Sequence, residues 1–225
     1  MAFNGFGEHA VDFYDGLLAD NSRAYWDDHK AIYTEQIAGP MRELLDELLP
    51  TFAADIPGAS AKVFRPYRDL RFAKDKTPYK THCGGVIEAG RGGGAYYVQL
   101  SADGLLVGGG CYHFEPDQLA RYRAAVDNQH SGEALATLVK SLTRKGFQLR
   151  GEVLKTRPNG VSAEHPRLEL LRHRSLYFSA SWPPDDGLHD REALRRVRDA
   201  WRALRVFNSW AADHVGPTDK PANRR

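Results

Sequence analysis

A chain of 225 residues with formal net charge +2 and 42% hydrophobic residues is long enough to bury a sizeable core. No run approaches the ~20 apolar residues of a membrane span, and MAFNGFGEHAVDF lacks the basic and apolar halves of a signal peptide. Two cysteines, Cys83 and Cys111, exclude a disulfide scaffold, so the expectation is a cytoplasmic protein without membrane association.

In chain order, Phe6, Ala10, Phe13 and Leu17 recur at helical spacing and predict a first helix. Asp20–Asn21–Ser22 interrupts it and offers a cap for a second helix carrying Tyr25, His29, Ile32, Tyr33 and Gln36. That helix is expected to stop before Gly39–Pro40, with Pro40 opening a third helix through Leu44, Leu45, Leu48 and Leu49. AKVFRPY and THCGGVIEAG then read as strands, and AYYVQLSADGLLVGGG as a hairpin turning at Asp103–Gly104.

Glu115–Pro116 opens a helix through Leu119, Tyr122 and Val126, and a further helix through Leu135, Leu138, Val139 and Leu142 ends at Gly146. FQLRGEVLK is expected to form short paired strands around Gly151, and Pro166 to start a short helix with Leu168, Leu170 and Leu171. SLYFSASW alternates, with Leu176, Phe178, Ala180 and Trp182 on one face. Leu194, Val197, Trp201, Leu204 and Phe207 mark the core stripe of a last helix, beside a row of Arg191, Arg195, Arg198, Arg202 and Arg205. The fold class is α+β: a largely antiparallel sheet with hairpins, packed against N-terminal and C-terminal helices. Residues 1–215 read as one domain and 216–225 as a flexible tail.

Charge is concentrated in RPYRDLRFAKDKTPYKTH, residues 65–82. Arg65, Arg68, Arg71, Lys74, Lys76 and Lys80 face only Asp69 and Asp75, six positive groups against two negative. Arginine presents a planar fork suited to phosphate or carboxylate, and lysine adds a point charge. Tyr79 adds a hydroxyl donor, Tyr67 a ring for stacking, and Pro66 and Pro78 stiffen the segment. Three readings stay open: an anion site, a structural ion-pair network, and a contact surface for protein or nucleic acid. KTRPNG places Arg157 at the edge of a turn, from which it is expected to join the basic pocket.

The stretch also carries a resemblance. Arg65, Arg68, Asp69, Arg71, Phe72, Asp75, Lys76 and Tyr79 fill the positions of a signature, and FNGF, NSRAYWDDHKAIY, GGGCYHFEP, KTRPNG and EHPRLELL accompany it. With these the chain resembles a bacterial family of conserved proteins of unknown function with fungal relatives, the domain of unknown function 2461. Val161 and Glu164 depart from the family's aromatic and aspartate in the segment before Pro166. The resemblance implies a cytoplasmic protein and no established activity.

Other chemistry is thinner. His82–Cys83 and Cys111–Tyr112–His113 do not have zinc spacing, and adjacent strand residues point to opposite faces, so no metal is expected. GRGGG (90–94) and VGGGC (107–111) are not phosphate-loop motifs and read as bulges or close backbone approaches. The arginine row reads as stems covering apolar surface with solvated heads. The expectation is therefore a basic pocket of Arg65, Arg68, Arg71, Lys76, Tyr79, Lys80 and Arg157 for an anionic small molecule, without cofactor. Tyr79 and His113, and after them His82, are the candidate proton donors. The alternative is an interaction or structural domain whose motif is an internal ion-pair network. Nucleic acid ranks below both, because no recognised module accompanies the charge.

Overall fold

The computed structural model describes residues 2–56, 58–89 and 94–220. Its sheet has six strands: β1 (Ser60–Val63), β2 (His82–Glu88), β3 (Ala95–Ser101), β4 (Gly104–Cys111), β5 (Gln148–Arg150) and β6 (Leu176–Trp182). They lie in the order β1-β2-β3-β4-β6-β5, and every neighbouring pair is antiparallel. Seven α-helices accompany them: α1 (Ala10–Ala19), α2 (Arg23–Ile32), α3 (Gly39–Phe52), α4 (Pro116–Asp127), α5 (Gln129–Arg144), α6 (Leu168–Leu171) and α7 (Glu192–His214). The protein is α+β.

The N-terminal helices form where the apolar spacing places them, with two differences. Phe6 is buried but lies ahead of α1, because the helix begins only at Ala10. α2 does not stop before Gly39–Pro40. It passes through a π-helical stretch, Tyr33–Ala38, directly into α3; Pro40 has no amide to bond the Gln36 carbonyl one turn back, and that carbonyl accepts from the Gly7 amide at 2.9 Å instead. Ser22 caps α2 as expected, its hydroxyl accepting from the Tyr25 amide at 3.1 Å.

Two strand expectations shift for geometric reasons. The β3–β4 turn is Ala102–Asp103, while Gly104 already pairs with Ser101. Gly104 has φ +93°, and a side-chain carbon there would lie 2.3 Å from the Trp182 carbonyl oxygen. The segments flanking Gly151 do not pair with each other. β5 pairs with β6, and Val153 bridges His173, so both segments lie against the returning chain. Of the tail expected to fray, Gly216–Lys220 are held. Gln118 donates to the Gly216 carbonyl at 2.7 Å, and Asp117 accepts from the Thr218 hydroxyl and the Asp219 amide. Residues 221–225, and Gly90–Gly93 of the glycine-rich stretch, lie outside the described residues.

Alternation divides the sheet into two unlike faces. A side-chain carbon at Gly85 would lie 2.8 Å from Leu45 of α3, and one at Gly109 would lie 3.0 Å from Leu204 of α7. Cys83, Ile87, Tyr96, Val98, Leu105, Val107 and Phe178 share that face and are buried with the helices in one hydrophobic cluster. At its centre Trp201 lies edge-on to Phe52, ring centroids 5.2 Å apart, and donates its indole N–H to the Tyr97 carbonyl at 3.0 Å. The opposite face carries Lys62, Tyr97, Gln99, Leu106, Tyr177, Ser181, Gln148 and Arg150, half-buried or exposed, with Val86, Ser101 and Ser179 buried among them. The molecule is two layers, helices on one side of the sheet and solvent on the other.

Candidate functional site

The charged stretch is the connection between β1 and β2. The antiparallel ladder persists into it through a hydrogen bond from the Phe64 amide to the Gly84 carbonyl, then a bridge between Tyr67 and Tyr79. The Arg68 amide donates to Pro78 and the Lys80 amide to Pro66, so the prolines occupy positions that need only accept. Asn21, in the α1–α2 turn, clasps Tyr79 by donating to its carbonyl and accepting from its amide, each at 3.1 Å. The Tyr79 ring stacks on Trp26 of α2 at 4.3 Å and 8°. The base of the loop is therefore rigid, and its tip stands out: Phe72 is 96% exposed.

Within the loop, charge is partly paired. Arg71 grips Asp69 in a fork, Nε to Oδ1 at 3.0 Å and Nη2 to Oδ2 at 2.7 Å, which holds the Asp69 carboxyl well below the usual carboxylate range. Arg68 pairs with Asp75 and also donates to the Thr77 hydroxyl, and hydrogen bonds from Arg68 and Thr77 hold Asp75 at about 2. Lys76 donates to the Leu70 carbonyl at 2.9 Å. Each aspartate thus takes one arginine. Among the described residues, Arg65, Lys74 and Lys80 form no ion pair with a carboxylate.

Between the loop and the end of α1 lies a cleft of about 540 Å³ whose walls include Leu17, Asn21, Arg68, Tyr79, Lys80 and His82. Asp69, Asp75, Thr77 and Thr81 contribute polar groups to it. Lys80 is half-buried there, its ammonium 5.5 Å from the centre of the Phe64 ring. Burial first, and then the charge of Arg65, lowers its pKa from the ordinary lysine value. Burial likewise lowers His82, with Lys80 contributing, and raises the Tyr79 phenol.

Of the residues expected to form the pocket, Arg68, Tyr79 and Lys80 line this cleft. Arg65 is exposed beside it, while Arg71 and Lys76 turn to partners within the loop. Arg157 and His113 are not brought to it. The ladder aligns His82 with Ser101 and Leu105 with Trp182, so the loop leaves one end of the sheet. Cys111 and Leu176 pair at the other end, where His113 follows β4 with its Nε2 3.9 Å from Glu115. Arg157 follows β5, the opposite edge strand, two residues after Lys155, whose carbonyl accepts from Arg172.

Asn21 and His82 are cleft residues that the charge pattern understated, since neither stands out among basic groups. Cys83 and Cys111 face the buried helical side, where burial raises their thiols to about 11 and about 12. Along α7 the arginine row is paired: Arg191 with Glu47, Arg195 with Glu192, Arg198 and Arg202 with Asp199, and Arg205 with Asp55 at 2.7 Å. No helix among the described residues is long and apolar enough to cross a membrane.

No curated protein matches the chain. The model of one family, described as a conserved hypothetical protein (DUF2461), matches residues 9–210, a span that contains the whole loop, the cleft and both layers of the fold. The chain belongs to the DUF2461 family.

Proposed function

We propose that the protein binds an anionic small ligand, bearing phosphate or carboxylate, in the cleft between the β1–β2 loop and α1. Lys80 carries this reading. It is half-buried on the cleft wall, has no carboxylate partner among the described residues, and is disfavoured as an ammonium by burial and by Arg65. An entering anion relieves that cost. Arg68 supplies a second cation, the Thr81 hydroxyl supplies a neutral donor, and Arg65 adds field at the rim. Tyr79 and His82 are the cleft groups able to exchange a proton on a bound ligand. Arg71, Lys76 and Arg157 belong to the loop and to the far edge. Residence in the cytoplasm is part of the same proposal, in keeping with two buried free thiols.

The Arg68–Asp75 and Arg71–Asp69 pairs support a second reading, in which the motif is an ion-pair network that shapes the loop. Thermal denaturation separates the two. The wild type, Lys80→Met and Arg68→Met are melted with phosphate or pyrophosphate, against sulfate and chloride at matched ionic strength. On the ligand reading, a ligand at ten times its Kd stabilises the wild type by about 1.4 kcal/mol, or about 3–6 °C for a chain of this size. Lys80→Met is expected to melt no lower than wild type without ligand and to lose that shift. A wild type indifferent to every anion, together with a severely destabilised Arg68→Met, establishes the network instead.

A further inference from the structure

The solvent face of the sheet is a second place where unneutralised charge and aromatic surface coincide, and it adjoins the cleft at Lys80. A side-chain carbon at Gly84 would lie 2.6 Å from the Tyr97 hydroxyl and 3.2 Å from the Phe64 ring, which places both rings over the open face. Phe64 and Tyr97 have ring centroids 6.4 Å apart. Tyr112, 79% exposed, and Tyr177 form a second pair at 5.3 Å. Four rings thus project from the extension of β1, from β3, from the end of β4 and from β6. From β1 to β6 is four strand spacings, about 19 Å.

Cations stand at both ends of this strip. Lys62 and Lys80 hold their ammonium groups 5.6 Å and 5.5 Å from the centre of the Phe64 ring. Arg150 lies beside Tyr177 and donates to Gln148. None of the three forms an ion pair with a carboxylate among the described residues. Glu88 is the one carboxylate among the described strand positions of that face. Between the ring pairs the floor is small: at Gly108 an added carbon would meet only the Phe178 carbonyl at 3.0 Å and Tyr97 at 3.9 Å.

We infer that this face binds single-stranded nucleic acid, bases stacked on Phe64, Tyr97, Tyr112 and Tyr177 and phosphates held by Lys62, Lys80 and Arg150. One exposed ring, Tyr112, and three half-buried ones, with interleaved cations on an open sheet, suit unpaired bases, whose flat faces are free to stack. A duplex hides those faces within its stack. A second copy of the chain fits poorly, because Gln99, Ser179, Ser181 and Gln148 break up the strip and leave Leu106 an isolated apolar side chain between the ring pairs. A span of about 19 Å also exceeds one base, which favours a strand over a lone nucleotide.

The test is fluorescence anisotropy of the full chain with labelled decamers of uridylate and thymidylate, and with a duplex of the same length. Both single strands are expected to bind at about 0.05 M salt, with a log–log salt slope of about −2 for three phosphates. Preference for one sugar identifies the natural polymer without altering the inference. Tyr112→Ala, at an exposed position that leaves the core intact, is expected to weaken binding about 5- to 100-fold. Lys62→Ala is expected to reduce the slope by about 0.7. The inference is overturned if the folded protein binds neither decamer, if the duplex competes equally, or if Tyr112→Ala combined with Phe64→Leu binds as wild type. It is overturned too if the wild type self-associates and Tyr112→Ala is monomeric, which assigns the face to a second copy.

Discussion

Burial sets the protonation behaviour of two histidines on different parts of the sheet. His82, on the cleft, and His173, before β6, both have pKa values below the ordinary 6.5, chiefly through burial. Lys80 lowers His82 further, whereas a hydrogen bond to the Ser175 carbonyl partly restores His173. Because the unfolded chain takes up these protons more readily, stability is complete above the ordinary histidine value and is lost as pH falls through the depressed folded values. The paired carboxylates Asp75 and Asp117, each held at about 2, act in a separate and lower window, losing their contribution as pH falls from 3.8. Melting temperature should therefore decline in two stages, the first as pH falls below 6.5 and well before the carboxylates protonate. His82→Gln with His173→Gln should remove the first stage and keep the second. A single decline confined to pH below about 4 would show that neither histidine is linked to folding.

Elements here are joined by a few polar side chains whose importance is local. Asn21 is the clearest: one amide group satisfies both the N–H and the C=O of Tyr79, tying the α1–α2 turn to the charged loop. With two part-buried hydrogen bonds lost, Asn21→Ala should cost about 1–3 kcal/mol in urea denaturation. It should also speed amide exchange at Arg68 and Lys80, which close the ladder beside Tyr79. Unchanged exchange at those two amides would mean that the Trp26–Tyr79 stack alone holds the loop. The π-helical stretch Tyr33–Ala38 is the element that apolar spacing does not reveal. Tyr33 and Ile37 sit at a helical interval in either geometry, and the extra residue matters only through what it aligns. It carries the Tyr33 hydroxyl toward the buried Cys83 thiol, 4.0 Å away.

At the scale of the whole molecule, stability rests on one layer of helices closing one face of the sheet. Trp201 of α7 lies within that closure against Phe52 of α3 and Tyr96 of β3, joining the two ends of the chain to the sheet. Trp201→Ala should cost about 3–5 kcal/mol, a large part of the 5–15 kcal/mol typical of a domain. Guanidinium denaturation followed by circular dichroism measures it, and a loss below about 1 kcal/mol would show that α7 is held chiefly by its arginine pairs. The same two-layer plan explains what could be read in advance. Core stripes such as Leu194–Val197–Trp201–Leu204–Phe207, the Ser22 cap and the alternation of Leu176–Phe178–Ala180–Trp182 were legible because each depends on residues three, four or two positions apart. So was the concentration of charge between residues 65 and 82, which is a property of the chain itself. The sequence by itself therefore determined the elements, the α+β class and the place of the basic loop. Tertiary structure alone decided that Asp69 and Asp75 each take one arginine, that Lys80 is left half-buried on a cleft, and that Arg157 and His113 lie at the other end of the sheet. It also decided that Phe64, Tyr97, Tyr112 and Tyr177 share an open face. These are relations between residues dozens of positions apart, set by strand order and register, and no local spacing encodes them.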